Sequence, residues 1–71
     1  MWTAEVKLKH KMTLGTDTVT FKDLLFIPKG TKITITRSMN ENEYVMWHNT
    51  GRYLIDKNYV DDSTMNVICE N

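Results

Sequence analysis

The chain has a single cysteine, a single proline and only three glycines. One thiol excludes an internal disulfide framework. With His10 and His48 as the sole histidines, it also excludes the usual structural zinc set. Gly15, Gly30 and Gly51 stand far apart, so there is no glycine-rich phosphate loop. No apolar run approaches the roughly 18 residues that span a membrane, the N-terminus has no apolar leader region, and no Asn-x-Ser/Thr sequon occurs. These absences point to a cytoplasmic protein without a membrane partner. Charge of one sign is missing as well: nine Lys and Arg meet nine Asp and Glu. That balance counts against nucleic-acid binding, which generally leaves a domain basic.

Convergent catalytic groups are also lacking. Cys69 with His10 or His48 is the one nucleophile–base pairing on offer. On a strand that alternates Met65, Val67 and Cys69, the thiol is expected to be a small core residue. Asp61, Asp62 and Asp56 have no calcium-loop spacing and read as a solvated acidic loop. No enzyme activity, cofactor or metal is expected.

What the chain does contain is β pattern. Leu25-Phe26-Ile27-Pro28-Lys29-Gly30-Thr31-Lys32-Ile33-Thr34-Ile35-Thr36 is the organising stretch. It reads as a strand end, a turn with Pro28 at its first central position and Gly30 at positive φ, and a strand that buries Ile33 and Ile35. Trp2, Ala4, Val6, Leu8, His10 and Met12 alternate with Thr3, Glu5, Lys7, Lys9 and Lys11, which predicts one long strand over residues 2–12. His10 falls on its apolar side and is expected to be partly buried. Gly15 and Asp17 mark a turn, and Thr18–Phe21 is a short β-rich run expected to pair with Lys9–Thr13.

Ser38–Glu43 is a polar loop. Tyr44–His48, apolar on both faces, fits a central strand. Asn49-Thr50-Gly51 is a hairpin turn and Arg52–Ile55 its return strand. Asp56 is placed to cap a single 3₁₀ turn near residues 56–59. Asp61–Thr64 is a polar connection before a last strand, Met65–Cys69. Five short strands in one small domain, residues 1–71, predict an all-β fold closed as a five-stranded barrel, because closure removes exposed edges.

Leu25-Phe26-Ile27-Pro28-Lys29-Gly30-Thr31 is similar to the diverging turn of SH3 domains. Tyr53-Leu54-Ile55-Asp56-Lys57-Asn58-Tyr59-Val60 resembles the segment that ends in their 3₁₀ turn, with Asn58-Tyr59-Val60 the most specific part. Over residues 23–60 the chain thus resembles an SH3 domain, and the resemblance implies an SH3-like barrel. The segment Ala-Leu-Tyr-Asp-Tyr of that family is absent, Asp56 stands in place of the groove proline, Tyr53 in place of a glycine, and Tyr44-Val45 in place of the tryptophan pair. The polyproline groove that the family implies is therefore reduced to Tyr44, Leu54 and Tyr59.

Two binding surfaces follow. Tyr44, Met46, Trp47, Leu54 and Tyr59, with Tyr53, cluster around one hairpin and the 3₁₀ turn, and aromatic residues dominate protein interfaces. They point to a protein-binding module with an unknown protein partner, and the small size suits a phage-type protein that occupies a host protein. The alternative is nucleic acid bound through Lys7, Lys9, Lys11 and Lys32. Lysines on a strand also protect a sheet edge from aggregation, and that is the expected role of Lys7, Lys9 and Lys11. The half of the chain up to Arg37 carries seven Lys/Arg against three Asp/Glu, and the remainder two against six, a split that fits a mixed solvated surface.

Overall fold

A computed structural model describes residues 1–14, 25–48 and 51–70. The chain is mostly strand: β1 Trp2–Leu8, β2 Met12–Leu14, β3 Leu25–Ile27, β4 Lys32–Arg37, β5 Glu43–His48, β6 Gly51–Asp56 and β7 Val60–Glu70, with a 3₁₀ turn at Lys57–Tyr59. The all-β class expected from the sequence holds. No helix among the described residues is long and apolar enough to cross a membrane.

Five strands form one sheet in the order β6-β5-β4-β1-β7, and β2 pairs with β3 as a separate ribbon. All pairings are antiparallel. The sheet is open rather than closed: β6 and β7 are its two edges, where a closed barrel was expected. Its two edge strands nonetheless contribute to one core, through Ile55 of β6 and Val60 of β7.

The inner face collects Ala4, Val6 and Leu8 of β1, Ile33 and Ile35 of β4, Met46 of β5, Ile55 of β6 and Val60 of β7, joined by Met12 and Ile27 of the ribbon. Val6, Leu8, Ile35 and Met46 are fully buried. At about 1.5–3 kcal/mol for each large aliphatic side chain removed from water, this one cluster is the main source of stability.

The organising turn forms, with a shift of one position. Thr31 N–H donates to the Pro28 carbonyl at 3.3 Å, so Pro28 opens the turn, and Lys29 and Gly30 are its centre. Gly30 has φ +86°, as expected for the second central residue. The turn is tied to the end of β1: Leu8 N–H donates to the Thr31 carbonyl at 3.0 Å, and Gly30 N–H donates to the Leu8 carbonyl at 2.9 Å.

Those bonds correct the expected strand over residues 2–12. β1 ends at Leu8 because its last amide and carbonyl are taken by the turn, and the chain bends through Lys9 and His10 before β2 begins. His10 is consequently exposed, not partly buried. The partner of β2 among the described residues is β3, in the register Met12↔Ile27. The run Thr18–Phe21, expected to pair with Lys9–Thr13, lies outside the described residues together with Gly15, Asp17, Asn49 and Thr50.

The last strand is also corrected. Asp61–Thr64 belongs to β7 as a bulge that slips the register between Glu5↔Asn66 and Lys7↔Asp61. Asp61 Oδ1 accepts from Ser63 N–H at 3.1 Å and from its hydroxyl at 2.6 Å. Thr64 Oγ1 donates to the Asp61 carbonyl at 2.7 Å and accepts from Lys7 N–H at 2.9 Å. The side chains thus replace the ladder bonds that the extra residues displace. Cys69, expected in the core, is exposed on this edge strand. A second register slip, between the pairs Thr3↔Cys69 and Ala4↔Val67, breaks the alternation on which its burial was inferred.

Candidate functional sites

The expected aromatic cluster is divided by the pleat of β5. Met46 is fully buried and is a core residue, so it offers nothing to a partner. Trp47, its neighbour, faces the opposite way and is 43% exposed. Val45 pairs with Leu54 across β5 and β6, and Trp47 pairs with Arg52, which puts Val45, Trp47, Arg52 and Leu54 on the outer face. Leu54 is 61% exposed there.

Trp47 is held in one orientation. Its indole Nε1–H donates to Thr36 Oγ1 at 2.9 Å, and Thr36 is itself buried. The Arg52 guanidinium lies 5.9 Å from the Trp47 ring centroid. A shallow depression of about 390 Å³ runs over this face, lined by Met1, Thr36, Arg37, Val45, Trp47, Arg52, Tyr53 and Leu54. Its floor is apolar, and its charged lining residues are both arginines.

Tyr44 belongs to a different place. It stacks on Trp2 with ring centroids 5.9 Å apart, and Lys57 Nζ sits 4.9 Å from its centroid. Arg37 covers the Trp2 ring at 5.3 Å. Burial raises the Tyr44 phenol above its ordinary value near 10, Asp62 raises it further, and Arg37 opposes them. Trp2–Tyr44 closes one end of the core with two cations over its rings, an arrangement that stabilises the sheet without a ligand.

Tyr59 stands at a third place, in the 3₁₀ turn. Asp56 caps that turn as expected, accepting from Asn58 N–H at 2.8 Å. The Tyr59 carbonyl receives Lys9 N–H at 2.7 Å, which ties the 3₁₀ turn to the chain leaving β1. Tyr44, Leu54 and Tyr59 therefore line three different depressions, and the reduced polyproline groove is not assembled.

The lysines are brought together more closely than their spacing implied. Lys7, Lys9 and Lys11 are joined by Lys29 of the turn around an open depression of about 810 Å³, with Leu8, His10, Gly30, Tyr59 and Asp61 completing its wall. Lys32 lies beside it, directly opposite Lys7 across β1 and β4. Sequence pattern missed Lys29 and Asp61 because both arrive through backbone bonding between distant segments. Asp61 is the one acidic group in this wall among the described residues. Its carboxyl is held below the ordinary range, first by the two Ser63 hydrogen bonds and then by the charges of Lys9 and Lys29.

No family model, curated protein or solved structure matches this chain.

Proposed function

We propose that the protein is a small SH3-like binding module that takes an acidic protein segment onto the outer face of β4, β5 and β6. The observation that carries this reading is Trp47: a large ring, locked by its bond to Thr36, left half in solvent between Leu54 and Arg52. A side chain already fixed loses little conformational freedom on binding, and tryptophan and arginine are the residues that most often anchor interfaces. Arg52, held over the Trp47 ring, selects a partner that carries carboxylates near an aliphatic or aromatic anchor. Arg37 stands at the margin of the face, where it also borders Glu41 and Glu43. The narrower form of the proposal is a cytoplasmic, phage-type protein that occupies a host protein's surface. Its support is the small size of the domain and an exposed free thiol, Cys69, which suits a reducing compartment.

Selection of random peptides on the immobilised protein tests the reading. Enriched peptides are expected to pair Asp or Glu with an aliphatic or aromatic residue. Trp47→Ala is expected to weaken them by about 2 kcal/mol, and Arg52→Glu to reverse the acidic preference. Circular dichroism establishes that both variants fold. Selected peptides that bind Trp47→Ala and Leu54→Asp as tightly as the parent would overturn the proposal, as would the absence of any enrichment.

A further inference from the structure

Lys7, on β1, does not protect a sheet edge. Edge protection requires an edge strand, and β1 lies inside the sheet, bonded to β4 on one side and β7 on the other. Lys7 faces Lys32 directly across β1 and β4, a like-charge pair that disfavours the pairing. Lys9 and Lys11 follow on the bend, and the Pro28–Thr31 turn adds Lys29 from another part of the chain. All five ammonium-bearing side chains are exposed. Against the four that line the depression, Asp61 is the one acidic residue among the described residues, and its Oδ1 is already engaged by Ser63.

Aromatic rings complete the wall. Tyr59 is 38% exposed, and His10 meets it edge-on with centroids 6.2 Å apart. The main chain beneath is fixed by three bonds, from Leu8 to Thr31, from Gly30 to Leu8 and from Lys9 to Tyr59, so the cations and the rings share one rigid base.

We infer that this depression binds single-stranded nucleic acid, with the lysines on successive phosphates and a base against Tyr59. Lysine is a point charge that tracks a flexible backbone without demanding one geometry. Aromatic faces accept any base, and the combination of basic groove and stacking ring is the common device for unpaired strands. A duplex hides its base faces and has no use for Tyr59. An anionic membrane surface would engage the lysines but offers no base to stack on the ring. The site is separate from the Trp47 face, so either proposal stands or falls without the other.

The test is fluorescence anisotropy with a labelled short oligothymidylate, which forms no duplex with itself. Three phosphate contacts predict a loss of about twentyfold between ~50 and 200 mM salt, from a slope of about −0.7 per contact on a single strand. Lys9→Gln, Lys11→Gln and Lys29→Gln together should abolish most binding and flatten that slope by about two. Tyr59→Leu should weaken binding about tenfold, within the range for one lost stacking contact, and Tyr59→Phe should restore it. Trp47→Ala should bind as the parent does. The three lysines are exposed, so their variant decides the matter even where Tyr59→Leu fails to fold. The inference is overturned by no binding at low salt, or by binding unchanged in the lysine variant. Equal affinity for a duplex overturns it, as does equal competition by polyglutamate. So does capture by phosphatidylserine vesicles without capture of the oligonucleotide.

Discussion

The outer face of β5 and β6 is built from outward side chains of two strands and the depression at the end of β1 mostly from a bend and a turn, and the two hold charge differently. On the face, Arg52 lies against the Trp47 ring. In the depression, Lys7, Lys9, Lys11 and Lys29 stand around open space, with Tyr59 at its wall. The difference follows from the cations themselves. A guanidinium is planar and weakly hydrated and can rest on a ring, whereas an ammonium keeps its water and projects on a flexible stem. A surface of the first kind is preorganised for a dry contact with a shaped partner. One of the second kind offers mobile charge, suited to a flexible polyanion. Proximity of basic and aromatic residues in a sequence therefore does not define one kind of site.

The comparison is sharpest across the pleat of β5, and the largest effect is expected there. Met46→Ala should destabilise the domain by about 2–5 kcal/mol, the range for truncating a buried methionine. Leu54→Ala on the outer face should cost well under about 1 kcal/mol, since an exposed side chain leaves no cavity. Chemical denaturation of both variants checks the pair. Similar losses would mean that the outer face is packed, which would remove it as a free surface.

A smaller effect is expected at the turn that carries Lys29 to the depression. Gly30→Val should destabilise by about 1 kcal/mol or more, because a β-branched residue is strained at φ +86°. The cost is conformational rather than steric, since nothing lies within 4 Å of the position a Cβ would take. An unchanged denaturation midpoint would show that the turn is not in this conformation. The depression would then lose its fixed base.

The smallest effect is electrostatic. Asp61 has a depressed carboxyl pKa in the folded protein, so its contribution is present above the unfolded value near 3.8 and is lost as pH falls through the lower folded value. Stability of the parent should therefore decline below about pH 4. Asp61→Asn, which has no carboxylate to protonate, should show a shallower decline over that window in urea melts followed at successive pH values. Parallel profiles would show that Ser63 does not hold the Asp61 carboxylate in solution.

Alternation and turn chemistry alone determined a good part of this protein. Ile33 and Ile35 are buried as their period of two requires, Gly30 takes positive φ, and Asp56 caps the 3₁₀ turn. Each of these depends on residues close in sequence, where backbone sterics and side-chain period act directly. Tertiary structure decided the rest. It placed Met46 in the core and Trp47 outside, a choice of face that an apolar run such as Tyr44–His48 leaves open. It ended β1 at Leu8, because the hydrogen bonds that stop it come from Thr31, Gly30 and Tyr59. It put β1 inside the sheet and left β6 and β7 as edges, since pairing order depends on which strands meet and not on what any one strand contains. The lysine depression is a product of that order. Lys29 and Asp61 reach it across the fold, and only long-range backbone pairing brings side chains so distant in sequence to one wall.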